Sequence, residues 1–337
     1  MKLIIPKYAA DFKCIGGACS DNCCIGWEIG IDSATLDKYK RVDGEFGKRL
    51  ALGIEDGDGE ASFKMSGERC PFLNSSNLCD IIINLGEGYL CDICREHPRF
   101  YTVLGDTAFS GVGLSCEAAA RLILSEKGGH TYIEKEVYDI SPEPCFDEIF
   151  DVIMLYKQRI VDIFEDKTLK FDEKLIRVCR ESESVQARID GETRDAYADL
   201  PEYSLEDIID LFSSLEYLDE GYAKVICEAL KRAGQGKIPL SESSEGYLEN
   251  LMLYFVDRHL PRAVEDCSVI GKIAFAALSV AILSQLIPSD ASLDVAMQIS
   301  MKYSKEIEYN EDNTEAIMNA AESGLLSATM ALIRQIF

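Results

Sequence analysis

The sequence predicts a mainly α protein: an irregular, cysteine-rich N-terminal region with short strands, packed on a multi-helix C-terminal domain. Three observations predict it. Nine of the thirteen cysteines fall in the first 116 residues. From about Pro144 onward, apolar residues recur at three-and-four spacing, segment after segment. Strand-like alternation is confined to short stretches before that point. The boundary falls near residue 130, giving a metal- or iron–sulfur-binding domain over 1–130 and a helical domain over 131–337.

The elements follow in order. The opening "MKLIIPKYAADFKC" has an apolar run of three residues and no small-residue cleavage pattern, so it does not read as a secretory leader. A cytoplasmic, reducing setting is therefore expected. Ser33 is placed to cap a short helix, "SATLDKYKRV". "GIEDGDGEAS" is acidic and glycine-rich and reads as a surface loop; its carboxylates lack the spacing of a calcium loop. "RFYTVLGDTAFSG" alternates about Gly105-Asp106 and reads as a hairpin. A helix should begin near Ser115 in "SCEAAARLILSE".

Then come the helices. "CFDEIFDVIMLYKQRIVDIF" carries Ile149, Val152, Ile153, Tyr156, Ile160 and Ile163 on one face. Ser204 and Asn313 read as N-caps, and "NTEAIMNAAESGLLSATMALIRQIF" as a closing helical stretch. "IAFAALSVAILSQLI", the longest apolar run, is shorter than a bilayer needs and reads as a buried helix. Cys145, Cys179, Cys227 and Cys267 stand singly in stretches that read as helix, as small core hydrophobes.

The net charge is −25. Residues 1–130 carry 14 basic and 19 acidic residues, and the remainder 20 and 40, so the acidity belongs to the helical part. That field repels phosphate backbones and excludes nucleic acid as the expected partner. It suits a basic, lysine-bearing protein segment.

The cysteines form three groups: Cys19, Cys23 and Cys24; Cys70 and Cys79; Cys91 and Cys94, with Cys116 beyond. Thiolates at short spacing suit a zinc ion or an iron–sulfur cluster, and the residues alone leave that choice open. There are thiols enough for one four-ligand site with spares, or for two sites. Cys14 reads as a neighbour, and one of the adjacent pair Cys23-Cys24 as a packing residue. His97 reads as a structural hydrogen-bonder, and Arg258-His259 as either a buried polar pair or a site. No radical S-adenosylmethionine motif is present, since Gly26 stands where its third cysteine would fall, and no Rossmann fingerprint follows a strand.

"FKCIGGACSDNCCIGWEIGID", "CPFLNSSNLCDI", "LGEGYLCDICREHPRF" and "LSCEAAARLIL" together resemble the flagellin lysine-N-methylase (FliB-like) family. The second and third also resemble the YkgJ-type zinc- or iron-chelating domain, with Cys94-Arg95-Glu96-His97-Pro98 as its C-R-x-x-P element. The resemblance implies S-adenosylmethionine-dependent methylation of lysine side chains on flagellin. It also implies a cysteine-held metal centre, a [4Fe-4S] cluster with zinc as the alternative. Its candidate ligands are Cys19, Cys23, Cys24, Cys70, Cys79, Cys91, Cys94 and Cys116. Within the same motifs, Arg95, Arg99 and Glu87 are candidates for catalytic roles. Trp27 and Asp32 are candidates for holding the cofactor, Trp27 by facing a sulfonium. The competing expectation is a non-catalytic zinc or iron–sulfur protein that senses redox state or mediates interactions.

Overall fold

The computed structural model describes residues 1–57, 60–127, 129–137, 141–145, 147–192, 203–237 and 239–337. The first half carries β1 (Lys2–Pro6), α1 (Lys7–Ala10), β2 (Gly30–Ile31), α2 (Ser33–Lys40), α3 (Gly44–Leu52), β3 (Ile54–Gly57) and β4 (Glu60–Phe63). After these come α4 (Asp80–Leu85), α5 (Asp92–Glu96), β5 (Arg99–Leu104), β6 (Thr107–Val112), α6 (Glu117–Ser125) and β7 (Tyr132–Glu136). The second half is helical: α7 (Asp147–Glu165), α8 (Phe171–Asp190), α9 (Leu205–Ser214), α10 (Tyr222–Ala233) and α11 (Glu242–His259). It closes with α12 (Ala263–Asp266), α13 (Val269–Leu286), α14 (Leu293–Tyr303), α15 (Glu311–Asn319) and α16 (Leu325–Ile336). The mainly α expectation holds.

The centre of the molecule is α13. Its side chains are apolar on every side, so no face tolerates water, and α8, α10, α11, α14, α15 and α16 surround it. Among the described residues it is the one single helix long and apolar enough to cross a membrane, and 89% of that window is buried inside the fold. The large core built on it extends to Tyr8, Ala9, Phe12, Leu104 and Phe109 on the sheet side.

That sheet has the order β5-β6-β1-β7. The hairpin over Gly105 forms as expected, with Leu104 opposite Thr107 and Gly105 at φ +61°. The opening strand was not foreseen: β1 runs parallel to β6 and antiparallel to β7.

Several local expectations are corrected. Asp32, not Ser33, caps α2, its Oδ1 accepting the Thr35 N–H at 2.8 Å. Asn310, not Asn313, caps α15, and Asn313 is buried inside the helix. The closing stretch is two helices bent by 92°, because Gly324 takes φ +102°. The stretch read as an acidic loop contributes the paired strands β3 and β4, residues 58 and 59 lying outside the described residues. Cys179 and Cys227 are in helices, but Cys145 is not, and Cys267 ends α12 at φ +58°.

A second, smaller core lies apart from the first. Ile29, Ile31, Tyr39, Leu50, Phe63, Phe72 and Ile81 form it, with Cys70 and Cys91 buried among them. It belongs to an arm made of α2 to α5 and the sheet β2-β4-β3.

Candidate functional site

The arm is built around its sulfurs. Cys24, Cys79 and Cys94 pack against the small core that holds Cys70 and Cys91, so five of the eight predicted ligands belong to one small core. Backbone rungs fix the loops that carry them. Cys70 N–H donates to Cys24 O at 2.9 Å, and Gly26 N–H to Glu68 O at 2.8 Å. Asp80 N–H donates to Phe72 O at 2.8 Å, and Arg49 bonds Asp80 at 2.6 Å and Pro71 O at 2.8 Å. Cys79, Cys91 and Cys116 each occupy the N-cap position of a helix, α4, α5 and α6. Burial pushes the Cys79 and Cys116 thiols up, against the opposing pull of backbone N–H groups in the first turn.

The sulfurs pair. The Cys24 thiol donates to Cys23, which lowers Cys23 to about 7 against its burial, with Lys305 adding to the effect. Cys94 does the same for Cys91, lowering it while its own thiol is pushed up. Cys70 is raised to about 11, first by burial and then by its thiol neighbours. No disulfide joins any of these cysteines. Among the described residues no three His, Cys, Asp or Glu side chains are arranged to hold a metal ion. The donor chemistry fits a thiophilic ion or cluster, since five reduced thiols share one small core.

Cys19, Cys23 and Cys116 lie outside that core. Cys116 packs on the large core instead. Cys19 Sγ lies 3.6 Å from Glu117 Oε2, which also accepts Ser20 N–H at 2.7 Å and Ser20 Oγ–H at 2.6 Å. Burial raises Cys19 to about 12.

The other predicted residues separate. Arg95 is exposed and bonds Asp92 at 2.5 Å and Glu96 at 3.1 Å. Arg99 is exposed and stacks on Phe12 with its guanidinium carbon 5.1 Å from the ring centroid. Glu87 is exposed on a short turn preceding α5. Asp32 is a fastener: besides capping α2 it accepts Asp92 N–H at 2.9 Å, tying α2 to the start of α5. Although burial opposes it, those two backbone donors keep its carboxyl below the ordinary value. His97 precedes a cis Pro98 and is held neutral, its pKa lowered to about 4 by burial and by Lys305 and Arg258.

Trp27 is half-buried and lines an open cleft of about 690 Å³. Phe63 and Met65 supply apolar surface there, and Glu28, Glu55 and Glu68 supply carboxylates against one cation, Lys64. Such a cleft suits a cationic group, by charge and by the face of an indole. The cleft adjoins the thiols, since Gly26 and Glu68 belong to the same rungs as Cys24 and Cys70.

Sequence reasoning missed how the arm is fastened to the helical body. Between α14 and α15 the chain makes a π-helical turn, Ser304–Glu308, with Tyr309 N–H donating to Ser304 O at 2.9 Å. The extra residue turns both Glu306 and Glu308 inward. Glu308 accepts from Tyr254 Oη at 2.9 Å, Arg258 Nε at 3.2 Å and His259 Nε2 at 3.2 Å. Burial opposes its charge, but Arg258 and His259 outweigh that and keep the carboxyl below the ordinary value. Arg258-His259 is thus a buried polar pair. Tyr254 Oη also accepts Leu114 N–H at 3.0 Å, and Tyr309 meets Trp27 edge-on at 5.7 Å. Lys305 pairs with Asp21. Gly113 leaves room for Tyr309: a Cβ there would lie 1.9 Å from Tyr309 Oη and would push that ring aside. A second buried set joins Asp257 to His130 and Lys157, each at 2.6 Å, and to Tyr132 Oη at 2.7 Å. Charges isolated in apolar helical sequence, such as Asp257 in "LYFVDRHL", were the available clue.

Comparison with known proteins gives three related matches. The chain is 26% identical over 140 residues to the flagellar biosynthetic protein FliU of Salmonella muenchen, covering 40% of this chain and 83% of that protein. It is 26% identical over 139 residues to the lysine-N-methylases of Salmonella choleraesuis and Salmonella typhimurium, covering 39% of this chain and 35% of each of those. The match therefore spans about a third of the length of the two lysine-N-methylases. No family model matches the chain, the YkgJ-type domain included, and no solved structure matches it.

Proposed function

We propose that this chain N-methylates lysine side chains of a flagellar protein, using S-adenosylmethionine, with a thiolate-held metal centre in the arm. The observation that carries this is the similarity to proteins named lysine-N-methylase, which accompanies cysteine motifs of the same family resemblance. The cleft at Trp27 supports it. Methyl transfer needs a neutral lysine amine, whose free pKa is about 10.4, aligned with a sulfonium methyl. Three carboxylates at the cleft attract the ammonium, and one of them can accept its proton before the neutral nitrogen attacks; the N–CH3 bond then forms as the sulfonium S–CH3 bond breaks and the neutral thioether leaves. The Trp27 ring offers the sulfonium a complementary face.

Cys24, Cys70, Cys79, Cys91 and Cys94 are the residues that would hold the centre, as a [4Fe-4S] cluster or as zinc. Bound there, it would cross-link the loops of the arm and offset thiolate charge. The reduced thiols of the arm suit a reducing cytoplasm.

The test is incubation of the anaerobically purified full chain with S-adenosylmethionine and a panel of lysine-bearing proteins that includes flagellin. Intact-mass spectrometry should show methyl increments mapping to lysine, lost in a Trp27→Ala variant. No increment on any of them, from a chain with its metal bound, would favour the non-catalytic metal or redox module.

A further inference from the structure

We infer that Tyr309 is a positioning residue for the cleft: it sets the tilt of Trp27, so that the helical body fixes the wall against which a sulfonium binds. The inference rests on the reading of the cleft given above and deepens it, by naming what holds the indole in place.

The contacts form a row. Phe100, on β5, packs on the large core, and the guanidinium carbon of Arg258 lies 5.0 Å from its ring centroid. The same carbon lies 4.6 Å from the ring centroid of Tyr309. Tyr309 in turn meets Trp27 at 5.7 Å, with the ring planes 61° apart. Ring, cation, ring and indole thus run from the sheet, through α11 and the turn before α15, to the wall of the cleft. An edge contact of this kind is directional, because the positive edge of one ring seeks the negative face of the other. It covers at most one face of the indole. It can therefore fix the tilt of Trp27 while the side chain stays half-buried and open to the cleft.

Tyr309 is itself closely held. Its Oη accepts from Arg258 Nη1 at 3.4 Å and sits against Gly113, the residue at which a Cβ would lie 1.9 Å away. Arg258 is kept in place by Glu308, with Nε 3.2 Å from Oε1, and that carboxylate has no exposed surface. The same π-helical turn sends Lys305 to Asp21, so the body grips the loop on both sides of residues 22–26. A cation entering the cleft then meets an indole whose orientation is already set, and binding costs less ordering. The carboxylates of the cleft attract any cation, whereas the fixed indole face adds a contact that a neutral thioether does not make.

The experiment uses the anaerobically purified full chain, with its only tryptophan as the reporter. Quenching of Trp27 emission is titrated with S-adenosylmethionine and, separately, with S-adenosylhomocysteine, whose sulfur is a neutral thioether. Wild type should bind the sulfonium more tightly. Tyr309→Leu should lower that preference roughly fivefold, the size of one cation–π contact. Tyr309→Phe, which keeps the ring, should retain it. Without ligand, Tyr309→Leu should also open Trp27 to acrylamide quenching. Should Tyr309→Leu fail to fold, Gly113→Ala, which pushes the same ring aside, is read in its place. No preference in wild type, or a variant that weakens both ligands equally or neither, would overturn the inference. The readout needs no methyl transfer. A chain that shows the preference and its loss, yet methylates no lysine, would therefore refute the proposed activity and leave this inference standing.

Discussion

The two cores of this molecule are held together by different means. The helical body surrounds α13, whose apolar side chains are buried on all sides. Among the described residues, the arm buries eleven apolar side chains, two of them cysteines. A core that small stabilises little by area alone, and small folds of this kind commonly rely on cross-links or metals. The body needs no such help. The difference separates two properties: the larger apolar core lies in the body, and the candidate site, the thiols and the cleft, lies in the arm.

The largest effect should come from breaking the body's buried charge set. Asp257→Asn leaves Lys157 and His130 facing no carboxylate and should cost about 3–5 kcal/mol in urea unfolding at pH 7. The pH sign follows. The folded carboxyl lies below the ordinary value of 3.8, so its stabilisation is present above about pH 4 and is lost as pH falls toward the folded pKa. The wild-type advantage over Asp257→Asn should therefore hold above about pH 4 and shrink progressively as pH falls below it, measured by unfolding midpoints.

A matched pair of core truncations sharpens the contrast. Leu278→Ala, fully buried in α13, should cost about 2–5 kcal/mol of global stability. Phe72→Ala, equally buried in the arm, should instead speed hydrogen exchange around residues 69–95 and leave the main unfolding transition nearly unchanged. Equal losses of global stability would mean the two cores unfold as one.

Smaller effects are expected at the seam and at the caps. Gly113→Ala forces Tyr309 from its place and should cost about 1–3 kcal/mol. Because Trp27 is the sole tryptophan and meets Tyr309, its fluorescence should shift in the same variant. Asn310→Ala removes the cap of α15 and should cost about 1 kcal/mol, with no change in fluorescence.

Legibility in the sequence followed the same division. Helices were readable because apolar spacing is a local signal, as in α7, and so was the hairpin over Gly105, whose turn is chemically specified. β1 was not, because five residues that pair with strands more than a hundred positions away carry no local period. Cap positions missed by one to three residues, since Asp32 and Ser33, or Asn310 and Asn313, are equally good caps by type. The cysteines were legible as a group and not one by one: spacing shows which thiols are near in sequence, whereas packing picks out Cys24, Cys70, Cys79, Cys91 and Cys94 as members of the small core. Glu308 was hidden because its inward turn depends on a π-helical residue that no spacing rule anticipates.

The division of labour is tested most directly by hydrogen-exchange mass spectrometry of the full chain before and after removal of bound metal under reducing conditions. The account predicts faster exchange across residues 69–95, with α13 and the helices around it unchanged. Uniform acceleration through the body, or an arm as protected without metal as with it, would contradict it.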